Sequence, residues 1–106
     1  MAWLYLAIAG VMEIVWAVGL KYSEGFTKPW PSVVTVLGMA VSFYYLALAL
    51  KQIPLGTGYA VWVGIGAVGT ALLGIVLFGE SAAWPRLACI ALIVAGIVGL
   101  KLTSVA

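Results

Sequence analysis

Four long apolar runs, separated by short charged connections, restrict how this chain can fold more than any other feature. The runs cover about residues 2–20, 32–50, 54–78 and 84–104. Crossing a hydrocarbon core of about 30 Å takes ~20 helical residues at about 1.5 Å each. The runs also lack the in-out alternation of a membrane barrel. The sequence therefore predicts an all-α integral membrane protein with four transmembrane helices in a single domain, residues 1–106.

The composition excludes most other classes of protein. The chain is 66% hydrophobic and 8% charged, more apolar than a small soluble fold could bury, and its net charge of +2 predicts no nucleic-acid partner. It has no histidine, and its acids are Glu13, Glu24 and Glu80. Cys89 is a single cysteine in an apolar stretch, where a packed small residue is the usual interpretation. We therefore expect no enzyme, no metal site and no cofactor.

The fourth run has the shortest stretch between the basic residues that flank it, Arg86 and Lys101. Only residues 87–100 are uncharged, which is short for a span. Arg86 and Lys101 can extend to the headgroups, and Trp84 can anchor one interface. On this basis the run is predicted to cross the membrane.

Basic residues give almost no orientation signal. With four spans, Lys51 and Lys101 lie on one side, and Lys21, Lys28 and Arg86 lie on the other. The positive-inside rule therefore compares three basic residues on one side of the membrane with two on the other. Either loop proximity or the N-terminal amine selects one topology, or the chain inserts both ways and pairs with an inverted copy of itself. We favour the inverted pair, since four short helices enclose little interior and two copies would allow alternating access.

The fourth run also carries small residues at helical spacing. Ala91, Ala95 and Gly99 recur every four residues, with Gly96 alongside. Such a groove permits close approach of another helix. It predicts either dimer packing or packing within the same subunit.

Glu13 is the most informative residue. It lies within the first span, where an ionised carboxylate costs about 3 kcal/mol or more and usually marks an ion or substrate path. Gly10 leaves room one turn before it, and Trp16 offers an aromatic wall one turn after it. The alternative is a protonated, hydrogen-bonded structural glutamate. A carboxylate that holds either a proton or an organic cation provides the mutual exclusion that antiport needs.

The third span contains the second group of candidate residues. Tyr59, Trp62 and Gly66 lie on one helical face, where the aromatic rings could contact a cation. Gly64 and Gly66 are interpreted as site-lining or flexibility-giving residues. In the second span, Ser42 either bonds its own helix backbone or orients Glu13.

These residues resemble the small multidrug resistance family along the whole chain. The shared features are four helices, a glutamate in the first helix, and the pattern Tyr-Ala-x-Trp-x-Gly-x-Gly beginning at Tyr59. The segment 10–17, the segment 20–23 and Ser42 resemble its guanidinium-exporter subtype. Val63 departs from that subtype, which usually has a small hydroxyl residue there, and Gly58 replaces a common alanine.

The resemblance implies a dual-topology antiparallel homodimer in the bacterial inner membrane that exchanges protons for guanidinium. It assigns Glu13 as the shared proton and cation site, surrounded by Trp16, Ser42, Tyr59 and Trp62. Two alternatives stay open. One is a broader quaternary-ammonium multidrug exporter of the same family, and the other is a non-transporting membrane assembly subunit.

Overall fold

A computed structural model describes residues 1–103 and contains four helices over this range. They are α1 (Ala2–Tyr22), α2 (Pro29–Ala49), α3 (Leu55–Phe78) and α4 (Trp84–Thr103). Each is long and apolar enough to cross a membrane. The predicted all-α architecture with four membrane-spanning helices is confirmed for the described residues. The predicted end of the fourth helix at residue 104 lies outside them.

The start of α2 differs from the prediction. The helix begins at Pro29, three residues before the expected Ser32, and follows an extended Lys28 with φ −102° and ψ 125°. Pro29 and Pro31 both lie in its first turn. The first turn has no intrahelical partner for its N–H groups, so prolines fit there without loss of a hydrogen bond. These prolines therefore begin the helix and do not belong to the preceding connection.

A buried serine organises the connection between α1 and α2. The Ser23 hydroxyl donates to the carbonyl of Leu20 at 2.7 Å and accepts from the backbone N–H of Phe26 at 3.1 Å. Glu24, Gly25 and Phe26 all have positive φ, which turns the chain sharply. The tight turn keeps α1 and α2 as antiparallel neighbours.

Two side-chain contacts show how the helix ends align. Lys101 Nζ lies 4.9 Å from the ring centre of Trp3, so α1 begins where α4 ends. The rings of Tyr22 and Phe78 are 5.1 Å apart, so α1 and α3 end together. Both contacts agree with four spans that alternate in direction.

The helices form a thin assembly around α1. Its Cα atoms extend over 43 × 34 × 17 Å. Helix α1 packs against both α2 and α3, whereas α4 has α3 as its helix neighbour within residues 1–103. No residue of α4 is buried. An added Cβ at Gly96 or Gly99 would have no atom of another helix within 4 Å. The small-residue face predicted to pack against a helix, formed by Ala91, Ala95, Gly96 and Gly99, is therefore open in the single chain.

Candidate functional site

Glu13 of α1 packs directly against the backbone of α3 at Gly66. A Cβ built at Gly66 would lie 2.7 Å from Glu13 Cγ and would overlap the carboxylate group. Only glycine at this position lets the two helices approach with the Glu13 side chain between them. Gly66 was interpreted from the sequence as a site-lining or flexibility-giving residue, and in the structure it provides space for the Glu13 carboxylate.

The Glu13 carboxylate carries an unpartnered acceptor. Its Oε1 atom is buried and has no hydrogen-bond partner among the described residues. Burial of a polar atom without a partner is costly, and native proteins leave few such atoms. This oxygen is accordingly the strongest candidate in the described chain for binding a donor from outside it.

Trp16 presents an unpartnered donor one turn further along α1. Its Nε1 atom is also buried without a hydrogen-bond partner among residues 1–103. The start of its side chain packs against α2 at Gly38, where an added Cβ would lie 3.0 Å from Trp16 Cβ. Trp16 lies three positions after Glu13, so the two side chains lie on neighbouring parts of one helix surface.

Ser42 of α2 connects its own helix to α1 and α3 through two hydrogen bonds. Its buried hydroxyl donates to the carbonyl of Ala9 in α1 at 2.7 Å and accepts from Trp62 Nε1 of α3 at 3.0 Å. Neither of the two partners expected from the sequence, its own helix backbone or Glu13, is the one observed. The Ala9 carbonyl could not be foreseen, because a backbone acceptor has no sequence signature.

The aromatic residues form a partly open group beside Ser42. Trp62 is buried, whereas Tyr59 is 53% exposed, and their ring centres are 5.5 Å apart. Phe43 joins them at 5.8 Å from the Trp62 ring. Sequence reasoning missed Phe43, although its position next to Ser42 was a usable signal. The three rings offer π faces of the kind that attract a cation.

The other two glycines predicted to line the site lie at different helix contacts. A Cβ at Gly10 would be 2.7 Å from Ile65 Cβ, which places Gly10 at the crossing of α1 and α3. A Cβ at Gly64 would be 2.9 Å from Ile97 Cδ1, which places Gly64 at the crossing of α3 and α4. Among the three predicted glycines, Gly66 is the one that touches the Glu13 carboxylate.

The acidic group of the candidate site is a single carboxylate, that of Glu13. No group of three or more metal-ligating side chains occurs within residues 1–103. The other two acids, Glu24 and Glu80, lie in the connections and pair with Lys28 and Arg86. Glu13 is thus a carboxylate within a span, with an indole N–H and aromatic rings nearby.

The family follows from comparison with known proteins. Residues 1–93 match the model of the family described as Small Multidrug Resistance protein. The chain belongs to this family. Its named relatives include a "Guanidinium exporter" of Escherichia coli (strain K12), 62% identical over 98% of this chain and 99% of that protein. Another, from Yersinia pseudotuberculosis, is 60% identical over 98% of this chain and 100% of that protein, and one from Citrobacter freundii is 56% identical over 98% and 99%.

Membership of the family also defines where the protein resides. Four membrane-spanning helices and the match to this exporter family indicate a multi-pass protein of the bacterial inner membrane. These relatives are named as transport proteins and not as enzymes.

Proposed function

We propose that this small multidrug resistance protein is a proton-coupled antiporter that exports guanidinium and small substituted guanidines. The observation that carries the proposal is the buried, unpartnered Oε1 of Glu13 in the middle of a membrane-spanning helix. Relatives 56–62% identical over nearly the whole chain are named guanidinium exporters, which supports the same substrate here.

The proposed substrate suits the groups around Glu13. Guanidinium is planar and carries only N–H donors, and two of them can pair with both oxygens of one carboxylate. The ring faces of Tyr59 and Trp62 add a cation–π attraction, and Tyr59 is exposed enough to be reached. Trp16 and Ser42 complete the proposed surround as residues that shape the carboxylate's environment.

Coupling follows from competition for one carboxylate. A proton bound to Glu13 removes the negative charge that holds guanidinium, and bound guanidinium disfavours protonation. If the site opens to one side at a time, a proton entering from one side displaces the cation bound from the other. Exchange then needs no second ion site.

The proposal includes an antiparallel homodimer with dual topology. Basic residues divide three against two between the two membrane sides, which selects neither orientation. The open face of α4, formed by Ala91, Ala95, Gly96 and Gly99, supplies a surface on which a second copy could pack. Two inverted copies would bring two Glu13 carboxylates to one central cavity.

The test is guanidinium transport driven by a proton gradient in liposomes that contain this protein alone. The wild type should accumulate guanidinium against its gradient, and Glu13→Gln should reduce transport to the level of empty liposomes. Glu24→Gln is the matched control, because it makes the same change in an exposed connection, and it should transport like the wild type.

Three results would contradict the proposal. Transport that survives Glu13→Gln would remove Glu13 as the central site. Export of bulky quaternary-ammonium ions in place of guanidinium would support the broader multidrug alternative. A folded wild type that transports neither would support a non-transporting membrane role.

A further inference from the structure

Helix α1 has a second face, which points away from Glu13. At 3.6 residues per turn, Val15 and Tyr22 lie on the opposite side of the helix from Leu6 and Glu13. Leu6 is fully buried between the neighbouring helices, whereas Tyr22 is 47% exposed. This second face lies outside the proposed transport site.

A groove of about 680 Å³ runs along this second face. Its floor is formed by Ile14, Val15 and Val18 of α1, and its walls include Val34 of α2 and Leu73 of α3. We call it the outer groove. Its size lies within the range of small-molecule binding sites, about 300–1,000 Å³. Its floor and walls are apolar, so it suits a hydrocarbon chain.

The mouth of the outer groove differs in chemistry from its interior. Among the described residues that line the groove, Lys28 is the charged one. It immediately precedes α2. Trp30 also lines the groove and is 79% exposed. Tryptophan and lysine at the end of a span are typical of the headgroup level of a membrane. Lys28 Nζ contacts Glu24 at 3.6 Å, but this pair is largely exposed, and an ammonium group has three donors.

The length of the groove corresponds to one leaflet. From Ile14 to Tyr22 the helix rises about 12 Å, and half of a hydrocarbon core measures about 15 Å. The deep end closes at Ile14, which packs against Gly69 of α3. Polarity therefore falls from a cation at the membrane surface to an apolar end near the midplane, in the same order as along an amphiphile.

We propose that the outer groove binds one diacyl phospholipid, with an acyl chain along α1 and the phosphate on Lys28. At the headgroup level of the membrane, the phosphate of a phospholipid offers oxygen atoms that accept charge-assisted hydrogen bonds from a lysine ammonium group. A second protein copy would instead have to cover both the Lys28 ammonium group and the apolar interior of the outer groove. A phospholipid has a charged headgroup followed by an apolar chain, which matches the order of these two parts of the groove.

The experiment is native mass spectrometry of the full chain in detergent, titrated with dioleoylphosphatidylglycerol. The wild type should bind one lipid per chain at low lipid concentration. Val34→Trp fills the wall of the groove and should weaken this binding at least tenfold. Val33→Trp is the matched control, because Val33 is equally exposed at 46% on the same helix but does not line the groove, and it should stay within twofold.

A second variant tests the phosphate contact without changing the apolar walls. Lys28→Gln should weaken binding about fivefold, as expected for one basic residue at a membrane surface. Unchanged binding in this variant would overturn the phosphate contact, and unchanged binding in Val34→Trp would overturn the groove as the site. Equal weakening by Val33→Trp would mean that the lipid binds without a defined site.

The same spectra test the competing occupant. If Val34→Trp dissociates an oligomer and leaves the lipid adduct in place, a second copy covers the groove and the proposal is wrong. Circular dichroism of each variant should match the wild type, so that weakened binding reports the groove and not loss of the fold. Lys28→Gln leaves the apolar walls of the groove unchanged, so weaker lipid binding by this variant cannot come from altered packing of the walls.

Discussion

Glu13 and Gly66 meet where α1 crosses α3, and the absence of a side chain at Gly66 creates the space that the carboxylate occupies. The acid and the glycine are 53 residues apart in sequence (66 minus 13). Their contact shows that the position of the carboxylate depends on a residue that carries no functional group of its own. Packing of this kind places a buried oxygen without a hydrogen-bond partner midway along α1.

Replacement of Gly66 should displace the carboxylate. Gly66→Ala introduces a methyl group onto the carboxylate position, and overpacking of this kind costs about 1–3 kcal/mol. If this cost falls on the guanidinium-bound site, transport in liposomes should fall at least about fivefold, since 1.4 kcal/mol corresponds to one factor of ten. Gly56→Ala makes the same change in α3 in open space and should leave transport unchanged. Equal transport by both variants would contradict the steric account.

Loss of the Ser42 hydroxyl should reduce stability. Ser42→Ala leaves the Trp62 N–H and the Ala9 carbonyl without their observed partner in a buried region. An unsatisfied buried group costs about 1–3 kcal/mol, and we expect the free energy of unfolding in mixed micelles to fall by about that amount. Ser32→Ala should change it by about 0.5 kcal/mol or less, because the hydrogen bond from the Ser32 hydroxyl to the carbonyl of Lys28, just before α2, is exposed to solvent. An unchanged free energy of unfolding in Ser42→Ala would mean that these two hydrogen bonds do not stabilise the fold.

Guanidinium binding should weaken as the pH falls. A proton and guanidinium compete for Glu13 in the proposed mechanism, so the apparent Kd should rise by up to about tenfold per pH unit where the carboxyl is mostly protonated. The fluorescence of Trp16 and Trp62 can report binding, since both lie in the proposed surround. An apparent Kd that does not change with pH, or a change in the opposite direction, would argue against one shared site.

The ion pair at the start of α4 should matter little for stability. Arg86 Nη2 and Glu80 Oε1 are 2.7 Å apart, but their side chains are 35% and 44% exposed. Pairs of this kind contribute about 0–1 kcal/mol. Arg86→Gln should therefore lower the free energy of unfolding by about 1 kcal/mol or less. A loss as large as that expected for Ser42→Ala would mean that this pair holds the connection between α3 and α4.

Apolar length and charge spacing were sufficient to predict four helices and to single out Glu13. Both signals are local, since a span needs only continuous apolar residues and a carboxylate within one is conspicuous wherever it occurs. The start of α2 was placed too late because prolines break a helix interior but fit its first turn. The extended backbone of Lys28, which shows that the helix begins at Pro29, is visible only in the structure.

Tertiary structure decided which residues meet. Ser42 bonds Ala9 and Trp62, and Gly66, unlike Gly10 and Gly64, touches the carboxylate. In a chain this apolar, nearly every helix face is compatible with lipid, so hydrophobic periodicity does not say which faces pack together. Close approach depends on the few positions without a Cβ and on backbone acceptors such as the Ala9 carbonyl. The sequence by itself determined four spans and one acid within them, and the packing of α1 against α2 and α3 determined the surroundings of that acid.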